Sequence, residues 1–209
     1  SQADSLPESE SAKLGKNLVD RFYEGKAGSV VRSFYDEQGG AIALYLLRTR
    51  NEKLLVRMLK KVSSLNDDSF PQALVEVVST MKSDSVKKAV LEVLQKSSSV
   101  TDSKSSILRA MSFVEKAQKE KLNGIVPTAR ETVVKGYLSH KTNILDSSPE
   151  NNRRIYVLAL SCPPAIVSEF VDKMILTIAD DRIGVFLLPL AKIKGAIQGP
   201  EVVRRAQQR

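Results

Sequence analysis

AIALYLLRTRNEKLLVRMLKKV, residues 41–62, is the stretch whose reading decides the fold. Leu54, Leu55, Met58, Leu59 and Val62 recur at three- and four-residue intervals, the spacing that lines one face of an α-helix. Lys53, Arg57, Lys60 and Lys61 fall opposite them, with Arg48 and Arg50 just ahead and Glu52 as the only acid. The pattern predicts one rigid rod with its apolar flank turned inward and its cationic flank turned out. Two readings of that flank stand. It is the solvated face any surface helix carries, or it is an anion-binding surface. Ordinary exposed helices mix signs and gain from Glu–Lys pairs four residues apart, so a run this poor in acids favours the second. The candidate site is therefore Arg48, Arg50, Lys53, Arg57, Lys60 and Lys61, set against lipid headgroups or nucleic-acid phosphate.

The rest of the chain extends this picture. Lysine and arginine number 32 against 24 acids, a formal net charge of +8 in 209 residues. A positive surface draws nucleic acid, an acidic lipid leaflet or an acidic protein. Hydrophobic residues make up 42%, a globular value, while aromatics are 5% and tryptophan is absent. Ala, Leu, Val, Ser and Lys dominate, which favours helix over sheet. Cys162 is the single cysteine, so no intramolecular disulfide forms, as expected of a reducing compartment. SQADSLPESE has neither the charged start nor the apolar centre of a secretory signal. The apolar runs AIALYLL and IGVFLLPLA fall short of the roughly 20 residues that a spanning helix needs. The expected location is cytoplasmic, or the inner face of a membrane or virion.

In order along the chain, residues 1–10 read as an acidic disordered tail. Helices are expected from Ser11 to Glu24, stopped by Gly25-Lys26-Ala27-Gly28, and from Ser29 to Glu37, broken by Gly39-Gly40. After the central rod, Asp68 or Ser69 caps a helix with Pro71 in its first turn, and Ser83 caps another whose core face is Val86, Ala89, Val90, Val93 and Leu94. Ser97 to Ser106 is serine-rich and poor in apolar residues, and reads as a linker or as a long loop within one domain. Taken as a linker at 98–106, it divides a helical subdomain of 11–97 from one of 107–209. The second part begins with a helix at Ile107 to Leu122. Thr128-Ala129-Arg130-Glu131 matches a capping box opening a helix to about His140, and Ser148-Pro149-Glu150 opens the next. A last helix runs from Pro164 to about Ala179, ahead of the apolar run Ile183 to Leu190. No internal repeat recurs at a fixed period. The fold class is all-α, a multi-helix bundle.

Reaction chemistry is missing from this inventory. His140, the only histidine, sits at an expected helix end, where it serves the helix dipole better than proton transfer. One cysteine and one histidine make no zinc constellation, and no cofactor or metal is expected. Cys162 lacks a second histidine to activate it and reads as buried or neutral. Asp67-Asp68 and Asp180-Asp181 lie at turns, where aspartate bonds backbone. No phosphate-binding glycine motif of either common type occurs. Gly25-Lys26-Ala27-Gly28 has the form of the loop that clamps nucleic acid in KH domains, but no strand signal precedes it, and a helix-breaking turn accounts for it. Tyr23, Phe34, Tyr35 and Tyr45 stand near Arg21, Arg32 and Arg48, at core rather than stacking intervals.

Leu18-Val19-Asp20-Arg21-Phe22-Tyr23-Glu24-Gly25-Lys26 resembles the start of orthomyxovirus matrix proteins, which carry a Leu-x-Asp-x-Phe pattern followed closely by Gly-Lys at the end of an early helix. A one-residue insertion brings the two into register. The resemblance implies a structural protein lining the inside of a viral envelope, self-associating into arrays and contacting ribonucleoprotein. Its membrane contact would be an anionic lipid surface met by a basic helical face. The expectation is thus a non-enzymatic matrix protein. Its alternatives are a nucleocapsid-like RNA binder, with the same cations on phosphate, and a helical scaffold for an acidic protein.

Overall fold

Helix-forming periodicity carries through to the structure wherever it is described. The computed structural model describes residues 39–100, 104–140, 145 and 148–177, together with 10, 13, 16, 17 and 204. Among the described residues eight helices have described bounds: α1 (Gly39–Arg48), α2 (Glu52–Lys61), α3 (Phe70–Thr80), α4 (Asp84–Ser99), α5 (Lys104–Lys119), α6 (Val126–Leu138), α7 (Pro149–Leu160) and α8 (Pro164–Thr177). No strand occurs among the described residues, so the valine-rich segments of α3 and α4 are helical, as their spacing requires. The expected helices at 11–24 and 29–37, the 18–26 stretch and the apolar run at 183–190 lie outside the described residues, apart from Lys13, Lys16 and Asn17.

The helices form a two-layer stack. α1 packs chiefly on α3 and α3 on α5, while α2 packs on α4, α4 on α6 and α6 on α8. Successive hairpins, α1–α2, α3–α4, α5–α6 and α7–α8, are thus laid side by side, an order shared with helical solenoids. One hydrophobic cluster runs through all eight helices, from Ile42 to Ile175. The predicted core face of α4 is buried as expected, Val86, Ala89, Val90, Val93 and Leu94 included.

The serine-rich stretch is a correction. Ser97–Ser99 continue α4 and Lys104–Ser106 open α5, so most of the expected linker at 98–106 is helix. Ser97, Ser98 and Ser106 are buried. Ser97 Oγ donates to the Val93 carbonyl at 2.7 Å and accepts from the Leu65 N–H at 2.9 Å, and Ser98 Oγ donates to the Leu94 carbonyl at 2.8 Å. A hydroxyl returned to the carbonyl four residues back satisfies itself without leaving the helix. α4 and α6, one from each expected subdomain, form the most extensive helix–helix contact. Over the described residues one hydrophobic cluster spans both expected parts.

Ser83 and Ser148 cap their helices as expected and Pro164 opens α8, but Ser69 at the N-cap of α3 makes no side-chain cap hydrogen bond, and two further starts differ. Ser83 Oγ accepts from the Val86 N–H at 3.3 Å, Ser148 Oγ accepts from the Asn151 N–H at 3.4 Å, and Pro71 lies in the first turn of α3. Gly39 and Gly40, expected to break the chain, open α1 instead. A Cβ on Gly39 would stand 2.4 Å from Phe70 Cε1, so the bare backbone lets α1 lie against the start of α3. The Thr128 capping box does not form. α6 begins at Val126 with Pro127 in its first turn, which leaves Thr128 inside the helix and Glu131 paired with Lys135 at 3.6 Å.

Candidate anion-binding face

The rod expected across residues 48–61 is two helices. Thr49 Oγ1 donates to the Leu46 carbonyl at 2.9 Å, Arg50 takes a left-handed φ of 51°, and Asn51 Oδ1 accepts from the Leu54 N–H at 3.1 Å. Asn51 therefore caps a fresh helix rather than continuing the old one. Arg48 ends α1 and Arg50 sits in the turn. Lys53, Arg57, Lys60 and Lys61 alone share a helix, within roughly 100° of arc at 3.6 residues per turn. Leu55, Met58, Leu59 and Val62 are buried opposite. Of the six candidates, Arg57 is half-buried and the other five are exposed.

Electrostatics on this face follow from where its one acid goes. Glu52 accepts from Ser83 Oγ at 2.7 Å and Ser85 Oγ at 2.6 Å, at the start of α4. The Ser83 hydrogen bond, then that from Ser85, holds its carboxyl below the usual glutamate range. Glu52 thus ties α2 to α4 and leaves the cations alone. The side chains of Arg50, Lys53, Lys60 and Lys61 form no ion pair with a described residue.

Three further cations join them. Lys96 Nζ donates to the Lys60 carbonyl at 2.8 Å and the Val62 carbonyl at 3.2 Å, closing the C-terminus of α2 with an ammonium. Lys13 and Lys16 lie across an open basin of about 430 Å³ from Lys53 and Arg57, with Asn51 and Leu54 between. Lys13 and Lys16 carried a readable signal, since residues three apart share a helix face. Lys96 carried none, because its role depends on where α4 lies against α2.

Other chemistry-bearing residues are occupied in the fold. His140 is buried with Nε2 2.7 Å from the Ser98 carbonyl. It meets a helix C-terminus as expected, but that of α4 rather than of its own helix. Burial pushes the Cys162 thiol up to about 11, with Arg130 pulling the other way, so the group is protonated at neutral pH. Asp67 accepts from the Ser69 N–H at 2.9 Å and the Gly40 N–H at 3.3 Å, and Asp68 pairs with Arg109 at 2.7 Å. Tyr45 packs half-buried on the core. Tyr23, Phe34, Tyr35 and Asp180-Asp181 lie outside the described residues. What remains is an exposed basic surface on which Arg50, Lys53, Lys60 and Lys61 form no ion pair with a described residue. No described helix is long and apolar enough to cross a membrane.

Comparison with known proteins finds no family model, no curated protein and no solved structure that matches the chain.

Proposed function

We propose that this chain is a non-enzymatic structural protein of matrix type that docks on an anionic membrane surface through the outer face of α2. The observation that carries this reading is the set Arg50, Lys53, Lys60 and Lys61, side chains that no described acid neutralises, beside Lys13 and Lys16. A basic residue near an anionic leaflet contributes roughly 1 kcal/mol, so four to six on one side hold a protein without insertion. Self-association multiplies such contacts by avidity, which suits a coat on the inner face of an envelope. Flotation with phosphatidylserine-containing and with pure phosphatidylcholine vesicles is the test. Recovery with the anionic vesicles alone, falling as salt rises, is expected. Equal recovery with both sinks the proposal. Filter binding to RNA across a salt series runs beside it, and tight, steeply salt-dependent retention without flotation reassigns the face to ribonucleoprotein.

A second reading draws on the stacking of α-hairpins in two layers, the architecture of helical scaffolds that bind protein partners along one surface. In that reading the same cations meet an acidic protein segment. Neither vesicles nor RNA would then be bound, and a polyglutamate peptide would be.

A further inference from the structure

A second cleft, of about 360 Å³, lies between the end of α3, the first turns of α4 and the turn joining α5 to α6. No residue of α2 lines it. Its chemistry is divided. Val78, Leu122 and Ile125 give it an apolar floor, and Lys82, Lys87 and Lys121 stand around it on three separate elements. Lys82 and Lys121 are exposed and form no ion pair with a described residue. Lys87 pairs with Asp84 at 3.2 Å, but the Asp84 side chain is 97% exposed, so water screens that pair and an incoming anion can replace it.

The turn itself is built for this position. Lys121 is held at a φ of 57°, where residues other than glycine are uncommon. The Lys121 N–H donates to the Gln118 carbonyl at 3.0 Å, the Leu122 N–H to the Ala117 carbonyl at 2.9 Å and the Asn123 N–H to the Lys121 carbonyl at 2.8 Å. The Gly124 N–H, also at the cleft, donates to no described residue, and a Cβ on Gly124 would meet nothing within 4 Å. The cleft is thus lined by three lysines and by a glycine whose N–H bonds to no described residue.

We infer that this cleft is a second anion site, which takes the phosphate group of a small ligand that also carries an apolar portion. The phosphate oxygens sit among Lys82, Lys87, Lys121 and the Gly124 N–H, as charge-assisted donors favour. The apolar portion covers Val78, Leu122 and Ile125. The volume is of the small-molecule class, and the chemistry is shared by a soluble phosphate ester and by the headgroup end of a phospholipid.

The test is titration of the full ¹⁵N-labelled chain with inorganic phosphate, phenyl phosphate and dihexanoylphosphatidate, followed by amide shifts. All three should move Gly124, and the two apolar esters should bind roughly tenfold tighter than inorganic phosphate. Whichever ester binds tighter assigns the source. Lys82→Gln with Lys121→Asn should weaken binding about tenfold, asparagine being tolerant of the left-handed turn. Lys53→Gln with Lys60→Gln and Lys61→Gln should leave the cleft's affinity within about twofold, since additivity holds for separated sites. A stationary Gly124 amide, no gain from the apolar portion, or loss of the shifts in the α2 variant would each overturn the inference. Failure of vesicle flotation would not touch it.

Discussion

The α4–α6 crossing and the outer face of α2 are both rich in polar side chains, and they use them in opposite ways. At the crossing, polar groups point at main-chain carbonyls. Ser98 Oγ donates to Leu94, and His140 Nε2 donates to Ser98. Lys173 Nζ reaches the carbonyls of Tyr137 at 3.0 Å and of His140 as it lies over the Tyr137 ring. His140 and Lys173 close helix ends that burial would otherwise leave unsatisfied, and Ser98 satisfies its own buried hydroxyl. On α2 and the turn before it the side chains of Arg50, Lys53, Lys60 and Lys61 bond to no described residue. Polar groups of the first kind hold the fold together. Those of the second kind form no bond or ion pair with a described residue.

The crossing breaks most readily at Gly136. A Cβ there would stand 2.0 Å from Ser98 Oγ and 3.0 Å from the Ser98 carbonyl carbon, so helix-to-helix distance must grow. Gly136→Ala should lower unfolding free energy by roughly 3 kcal/mol in urea titration, overpacking outweighing the better helix propensity of alanine. A midpoint at or above that of the parent protein would show that α4 and α6 are not in backbone contact.

Alkali should come next. Burial pushes Tyr156 up to about 12 and raises Tyr137 as well. Both rings pack on Phe170. Below the unfolded tyrosine value near 10, both states are protonated and nothing changes. Between pH 10 and about 12 the unfolded chain ionises first. Tyr156 then withdraws on the order of 2 kcal/mol of stability. Unfolding free energy measured against pH should fall over that window, and the share of tyrosinate absorbance that Tyr137→Phe and Tyr156→Phe remove should appear only as the chain unfolds. That share appearing in the still-folded protein near pH 10 would contradict the buried positions.

Lys173→Met should have a smaller effect, about 1 kcal/mol. The ammonium bonds to the last carbonyls of α6, but burial draws its pKa down, with Glu169 opposing, so part of its gain is already offset. Hydrogen exchange at residues 137–140 reads the loss directly. Unaltered protection there would mean that the α6 terminus needs no cation.

The sequence was most informative where one helix determines its own geometry. The faces of α2 and α4 and the caps at Ser83 and Ser148 depend on local spacing, and they stand as expected. What depended on a neighbour was hidden. Ser97 and Ser98 look like linker residues because serine is common in linkers, but both are buried in α4, Ser97 against the Leu65 N–H and Ser98 against Gly136 of α6. The stack of hairpins has no fixed sequence period, since its units start at residues 39, 70, 104 and 149. The candidate face was half legible. Lys53, Arg57, Lys60 and Lys61 follow from periodicity, but Asn51 and the left-handed Arg50 split off Arg48, and Lys96 joins only through tertiary packing.

The smallest expected stability effect tests the α2 face most directly. Lys53→Gln, Lys60→Gln and Lys61→Gln together remove three exposed charges that make no ion pair with a described residue. Glutamine keeps the helix propensity and a polar, uncharged head on a side chain one bond shorter. Unfolding free energy should therefore stay within about 0.5 kcal/mol of the parent. If these lysines serve an outside partner, recovery on anionic vesicles should fall far more, by roughly a hundredfold in affinity at about 1 kcal/mol per charge. A variant that loses stability while keeping its vesicle binding would reverse the comparison. The cations of α2 would then belong to the fold, through contacts with residues beyond those described, and the crossing and the outer face would be two versions of the same thing.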